Sequence, residues 1–117
     1  MSIERIEVGP RMSQAVIHGD TVYLAGIVAD RRAGTSVADQ TTQVLQRIDD
    51  LLAKAGTDKS KLLKANIWLR DIATFDEMNS VWDKWVSAGN TPARACVESR
   101  MAAPDILVEI QVVAVKG

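Results

Sequence analysis

A single arginine lies in a segment whose other residues favour a half-buried β-strand. Arg94 stands in the run from Thr91 to Ser99, among small and β-branched residues. A guanidinium is rarely buried unless an anion meets it, and its planar fork of donors fits a carboxylate. Two interpretations follow from the side chain alone. Arg94 binds the carboxylate of a small ligand, or it forms an ion pair with an acidic residue such as Glu98 or Glu109 of a neighbouring subunit.

The other reactive side chains favour few further chemistries. Cys96, the only cysteine, has no histidine near it in the sequence and no second thiol, so the role of a small buried hydrophobic residue is favoured over that of a nucleophile. His18, the only histidine, lies at a predicted turn, where side chains are usually exposed. Metal sites draw on several His, Cys or carboxylate ligands placed together. We therefore expect no metal ion.

Length and charge exclude several classes of protein. The 117 residues form a single predicted domain, 1–117, which is large enough for one hydrophobic core. The net charge is −1 and the 14 lysines and arginines are spread along the chain, so a nucleic acid partner is not expected. No apolar run approaches the roughly 20 residues of a membrane span, and the first residues lack a signal-peptide core. These features predict a cytoplasmic protein without a membrane partner.

Hydrophobic periodicity predicts six strands and two helices. Ser36 is the predicted N-cap of the first helix and Gly56 follows its end, while Thr74 and Glu77 form a predicted capping box for the second helix. Residues 18–20 form a predicted hairpin turn. The predicted strands are 3–8, 13–17, 21–27, 62–69, 93–100 and 106–115, and the predicted helices are 37–55 and 75–86.

This order of elements favours an α+β fold in which two helices cover one face of a sheet. Trp82 and Trp85 lie on the apolar stripe of the second helix and are predicted core residues, whereas Trp68 lies on the polar face of its strand and is predicted to contact the other helix. The last strand has apolar side chains on both faces, with Val108 and Ile110 on one and Leu107 and Val113 on the other. A strand of this kind needs a second cover, so we predict an oligomer.

Four motifs distinguish this chain. They are Pro92-x-Arg94-x-Cys96-Val97-Glu98, Val108-Glu109-Ile110, the strand from Val22 to Gly26, and Asn66-Ile67-Trp68-Leu69-Arg70-Asp71. Together they resemble the RidA/YjgF family, also described as L-PSP endoribonuclease-like, and the resemblance covers nearly the whole length. It implies a chorismate-mutase-like α+β domain, with a six-stranded mixed sheet backed by two helices. It also implies a barrel-like homotrimer with sites in the clefts between subunits.

The resemblance further implies an activity and a set of site residues. The activity is hydrolysis of enamines and imines, such as 2-aminoacrylate and 2-imino acids, to a 2-keto acid and ammonia, without a cofactor. Arg94 matches the arginine that holds the carboxylate of the substrate, which suits a planar bidentate donor. Glu109 matches the acid that orients or activates water. Cys96 matches a position whose backbone, rather than its thiol, lines the pocket, which Met12, Ala25 and Gly26 are also expected to shape.

Two positions depart from the family pattern and indicate a divergent branch. Met12 stands where archetypal members have a pocket tyrosine, and Ala25 stands where they have a serine. Ser13 or Arg11 could replace part of the lost hydroxyl groups. A non-enzymatic trimer that binds a keto acid or a similar carboxylate is the alternative, while ribonuclease activity is disfavoured by the spread basic residues and the single histidine. The predicted substrate-binding residues are Arg94, Cys96, Met12, Ala25, Gly26 and Ser13.

Overall fold

A six-stranded sheet with both helices on one face forms the whole of the structure. The protein is described by a computed structural model that covers residues 2–117. Its strands are β1 (Ile3–Val8), β2 (Ser13–His18), β3 (Thr21–Leu24), β4 (Leu62–Leu69), β5 (Ala93–Glu98) and β6 (Val108–Val115). Its helices are α1 (Val37–Lys54) and α2 (Phe75–Trp85). A short 3₁₀ turn at Lys59–Lys61 lies between α1 and β4, and another at Ile72–Thr74 directly precedes α2.

The strand order in the sheet is β1-β2-β3-β6-β4-β5. All neighbouring pairs are antiparallel except β4 and β5, which are parallel and joined through α2. Parallel neighbours need a crossover of this kind. The mixed six-stranded sheet and the two helices confirm the predicted α+β fold class, and β5 lies at a free edge of the sheet within the protomer.

The first helix forms as its sequence predicts. The side chain of Ser36 accepts a hydrogen bond from the Asp39 backbone N–H, and Gly56 follows the helix with φ of 83°, a left-handed conformation that favours glycine. One face of α1 packs on the sheet. Its buried residues are Val37, Gln40, Thr41, Val44, Leu45, Ile48, Leu51 and Leu52.

The predicted capping box of the second helix is wrong. The Thr74 hydroxyl donates to the Asp71 carbonyl at 2.6 Å, because the 3₁₀ turn that precedes α2 brings this carbonyl within reach. The carboxylate of Glu77 instead accepts from the Ala38 backbone N–H at 2.9 Å, at the start of α1. Glu77 therefore caps the neighbouring helix and ties the two helix N-termini together.

Two further predictions on β4 need correction. The alternation of Leu63 with Ala65, Ile67 and Leu69 predicts that Leu63 faces the core, yet it is half exposed, because a register irregularity between Leu62 and Lys64 turns Leu62 inward instead. Trp68 does not contact a helix. It pairs with Glu109 and Val97 on the sheet face opposite the helices, as strand alternation requires for a residue between Ile67 and Leu69, which are buried.

The sheet face away from the helices has no cover within the protomer. Tyr23 and Val97 on this face are 48% and 50% exposed, and alternate residues of β6 are only half buried. The prediction that the last strand is apolar on both faces is confirmed, since its burial alternates strictly between buried and half-buried residues. Among residues 2–117, no helix is long and apolar enough to cross a membrane.

Candidate active site

Arg94 lies on the edge strand β5, on the side of the sheet that carries the helices. Its Cα pairs with that of Ala65, a fully buried residue of the helix-covered face. Strand alternation then directs the Arg94 side chain towards α2. Because β5 is the last strand of the sheet, the guanidinium stands at the rim of the core and is exposed.

Only neutral groups hold the Arg94 guanidinium. Its Nη1 donates to Oδ1 of Asn79 at 2.8 Å. Its Cζ lies 5.7 Å from the ring centroid of Phe75 and 5.2 Å from that of Trp82, within the range of cation–π attraction. Within residues 2–117 the three ion pairs involve other residues, so Arg94 forms no ion pair inside the protomer, and the predicted alternative of an ion pair with a neighbouring subunit stays a prediction.

Cys96 follows Arg94 by two positions and shares its side of the sheet. It pairs with Ile67 and is half buried against the hydrophobic core. Burial raises the pKa of the Cys96 thiol, although the positive charge of Arg94 nearby acts in the opposite direction. A raised thiol pKa reduces the thiolate fraction at neutral pH, which favours the predicted packing role over a nucleophilic one.

Glu109 lies on the other face of the sheet and packs against Gly26. Val108 and Ile110 are fully buried under the helices, so Glu109 between them faces away from the helices. The Ile27–Ile110 bridge brings the end of the β3 segment beside β6. A Cβ atom added at Gly26 would stand 2.1 Å from Oε2 of Glu109, far closer than any contact allows. Glycine at position 26 therefore leaves the space that the Glu109 carboxylate occupies.

Met12 and Gly26 line one open cavity of about 730 Å³. Met12 is 51% exposed there, and Ser13 next to it begins β2, where it pairs with Val8. Ala25 is half buried, and its backbone N–H donates to the Gln14 carbonyl at 2.9 Å. Met12, Ser13, Ala25 and Gly26 are therefore brought together around the end of β3, whereas Cys96, the other predicted pocket residue, lies on β5. The cavity is also lined by Glu7, Gln14, Ile27, Val28, Asp30, Arg47 and Asp50.

The predicted site residues thus fall into two groups. Arg94 and Cys96 lie on β5 and face α2, whereas Glu109 faces away from the helices, and three interstrand steps separate β3 from β5. At roughly 4.8 Å per step, this places the Gly26 region roughly 14 Å from β5. One protomer does not bring Arg94 and Glu109 to a common substrate.

Comparisons with known proteins identify the family. Residues 2–116 match the family model described as Endoribonuclease L-PSP. The chain belongs to this family. A RutC family protein from Haemophilus ducreyi is 43% identical over 112 residues, which cover 96% of this chain and 95% of that relative. These matches confirm the predicted RidA/YjgF relationship.

Solved structures agree with the fold of this L-PSP family protein. The crystal structure of a YjgF family member from Neisseria meningitidis superposes with a TM-score of 0.96 at 48% identity, and the match covers 100% of this chain and 97% of that one. A protein from Yersinia pestis, described as of unknown function in the conserved Rid family, gives a TM-score of 0.87 at 30% identity and covers 97% of this chain and 99% of its own. The names state family membership, which is consistent with deaminase-type chemistry.

Sequence reasoning missed the groups of α2 that contact Arg94 in this L-PSP family protein. Phe75, Asn79 and Trp82 are spaced four and three residues apart, which places them on one face of a helix. The sequence shows this spacing, but it does not show that the three side chains contact Arg94, because those contacts depend on how α2 packs beside β5. Trp82, on the predicted apolar stripe of α2, is buried with 5% of its surface exposed, whereas 37% of the Phe75 surface is exposed.

Proposed function

We propose that this protein hydrolyses enamines and imines of small 2-amino acids, such as 2-aminoacrylate and its 2-imino acid tautomers, to 2-keto acids and ammonia. The observation that carries this proposal is the guanidinium of Arg94, which is fixed at the sheet edge by neutral groups and carries no carboxylate partner within residues 2–117. Such a fork binds a substrate carboxylate bidentately. Membership of the family supports the same class of chemistry.

The reaction needs a positioned imine carbon and a water molecule. With the substrate carboxylate held by Arg94, the oxygen of water forms a bond to the imine carbon, and Glu109 takes a proton from that water. Glu109 passes that proton to the imine nitrogen as the C=N π bond opens, which gives a neutral carbinolamine. Glu109 then takes the hydroxyl proton and delivers it to the nitrogen, the C–N bond breaks, and the keto acid and ammonia leave. No electron transfer is involved, and the atoms of water and substrate account for both products.

We propose that the complete site forms between subunits of a homotrimer. Arg94 and Glu109 face opposite sides of the same sheet, so their cooperation requires that one protomer supplies the arginine and its neighbour supplies the glutamate. The uncovered sheet face and the free edge of β5 support this arrangement, because both need a cover. Small carboxylate-bearing substrates would then enter the cleft beside Met12, Ala25 and Gly26.

Mixed trimers test this proposal directly. Arg94→Ala and Glu109→Gln should each lose most of the ammonia release from freshly generated 2-iminopropanoate. When the two variants are co-expressed and randomly assembled, about a quarter of the interfaces pair an intact arginine with an intact glutamate, and activity should return to a similar fraction of wild type. Trimers sorted by two affinity tags remove the homotrimer background. Mixed trimers that stay as inactive as their parents would contradict a shared site.

A binding protein without turnover is the second candidate. Met12 and Ala25 both lie near the end of β3, and neither provides a side-chain hydroxyl. The hydroxyl groups that could discriminate a substrate are therefore missing from these two positions. Calorimetric titration with 2-oxobutanoate beside the ammonia-release assay separates the two candidates. Binding that depends on Arg94, without any imine hydrolysis, would establish the binding role and exclude the deaminase.

A further inference from the structure

Helix α2 presents three side chains to the Arg94 guanidinium from one face. Phe75 and Trp82 are seven positions apart, which corresponds to roughly 10.5 Å along the helix axis, and Asn79 lies between them. The guanidinium carbon is 5.7 Å from one ring centroid and 5.2 Å from the other. The guanidinium therefore lies within cation–π range of both rings. The Asn79 amide oxygen meets its Nη1 at 2.8 Å from the same helix face.

All three contacts are neutral. Arg70 is likewise held by neutral groups, two backbone carbonyls, whereas two other arginines of this protein form ion pairs. Arg32 and Arg47 are each held by a carboxylate, from Asp105 and Glu7 respectively. A carboxylate partner fixes an arginine but also neutralises it, so an incoming anion must displace that partner. An amide oxygen and two aromatic rings fix the guanidinium and leave its full positive charge.

We propose that Phe75, Asn79 and Trp82 are positioning residues that hold Arg94 through neutral contacts only, so that its charge stays available to a ligand carboxylate. This inference rests on the proposed role of Arg94 as the carboxylate-binding residue. Residue 79 must then provide a hydrogen-bond acceptor that carries no charge, as the amide oxygen of Asn79 does. The two rings restrict the guanidinium plane, which leaves the remaining N–H groups free to form paired hydrogen bonds.

The decisive variant is Asn79→Asp, which keeps the size and the acceptor of the side chain but adds a negative charge. Carboxylate affinity is measured by calorimetry with 2-oxobutanoate on the assembled protein. Asn79→Ala should weaken binding roughly three- to tenfold, because one anchoring hydrogen bond is lost. Asn79→Asp should weaken it much further, on the order of a hundredfold, because the new carboxylate competes for the guanidinium.

Ser80→Asp is the matched control. It adds the same charge to the same helix one residue further on, at an exposed position turned about 100° around the helix axis. Its affinity for 2-oxobutanoate should stay within about threefold of wild type, since an exposed charge at a distance is screened. An Asn79→Asp variant that binds no worse than Asn79→Ala, or a Ser80→Asp variant that is equally impaired, would overturn the proposal.

A ligand-free measurement keeps the inference testable whether or not the protein binds 2-oxobutanoate. Nitrogen-15 NMR of the arginine side chains reports rotation about the Nε–Cζ bond, and the Arg94 signal is assigned by its loss in Arg94→Lys. Rotation should be slow in wild type and faster in Phe75→Leu, a substitution at a residue exposed enough to leave the fold intact. Rapid Arg94 rotation in wild type, comparable with that of exposed Arg5, would refute the positioning role.

These outcomes distinguish the inference from the proposed function. Slow Arg94 rotation and charge-sensitive binding without imine hydrolysis would support the positioning residues and reject the deaminase. Imine hydrolysis that requires Arg94 but is unchanged in Asn79→Asp would support the deaminase and reject the positioning role.

Discussion

Charged side chains form ion pairs in one region of this protein and remain without ion pairs in another. In the first, the carboxylate of Glu7 on β1 contacts Arg47 and Lys54 of α1, with the Lys54 Nζ at 2.7 Å. These contacts lower the pKa of Glu7 from 4.5 to about 2, chiefly through the hydrogen bond from Arg47. In the second region, Arg94 and Glu109 face opposite sides of the sheet, and neither forms an ion pair within residues 2–117.

The difference separates charges that join elements of the fold from charges that remain available to a ligand. The Glu7 cluster ties the edge strand β1 to α1, and its charges are already compensated. Glu7 even adopts a left-handed backbone with φ of 53°, which is costly for a residue other than glycine and indicates that the cluster constrains the strand. Arg94 is held in place without an opposite charge, which is the arrangement that a binding site for a small anion requires.

The largest expected effect contrasts two arginines. Arg94→Lys should lower imine hydrolysis at least roughly ten- to hundredfold, because a single ammonium cannot reproduce the planar fork and a charged hydrogen bond contributes about 1.5 to 3 kcal/mol. Arg32→Lys makes the same change at an arginine that forms an ion pair with Asp105, which a lysine can also form, and that does not line the cavity beside Met12 and Gly26. It should keep most of the activity.

The measurement is kcat/KM for ammonia release, with folding and assembly of each variant checked by circular dichroism and sedimentation. Equal losses in Arg94→Lys and Arg32→Lys would remove the distinction between an ion-paired arginine and one that is available to a ligand. Full activity in Arg94→Lys would refute the assignment of Arg94 as the carboxylate-binding residue.

A smaller loss of turnover is expected when the Glu109 carboxylate is displaced. Gly26→Ala places a Cβ where Oε2 of Glu109 now lies, so the carboxylate must move. Because this atom is the end of a flexible side chain, the fold should tolerate the change while turnover falls roughly tenfold, in line with a misplaced acid–base group. Adding Gly26→Ala to Glu109→Gln should cause little further loss, since the two changes act on the same group. Additive losses in the double variant would show that Gly26 acts independently of Glu109.

The sequence predicts the frame of the site better than its contacts. Strict alternation in β6 and the periodic stripe of α1 indicate which faces are buried, and both are confirmed because burial dominates the choice of face. The contact between Asn79 and Arg94 spans 15 positions and depends on the packing angle of α2, which no local pattern encodes. The close approach of Glu109 to Gly26 likewise depends on a bridge between β6 and the segment after β3.

The failed capping box illustrates the same limit at a single helix end. Thr74 and Glu77 have the spacing that predicts reciprocal capping, but α1 offers Glu77 an unpaired backbone N–H at Ala38. Tertiary contact therefore overrides a local preference, and it does so for the same helix that carries the contacts of Arg94. Sequence identifies Arg94 as a residue that needs a partner, whereas only the packed structure shows that its partners within the chain are neutral.

The smallest expected effect is on stability in acid, at the compensated cluster. The folded-state pKa of Glu7, about 2, lies below its ordinary value of 4.5, so the ionised carboxylate stabilises the folded state. This contribution is fully present above pH 4.5 and is lost as the pH falls from 4.5 through 2. Glu7→Gln removes the charge but keeps the same cost of the left-handed backbone. The free energy of unfolding, measured by urea denaturation, should therefore differ between wild type and Glu7→Gln at pH 6, and the difference should shrink towards pH 2.5. A difference that is constant across this range would show that the ion pairs of Glu7 contribute nothing to folding, and the contrast with Arg94 would then rest on activity alone.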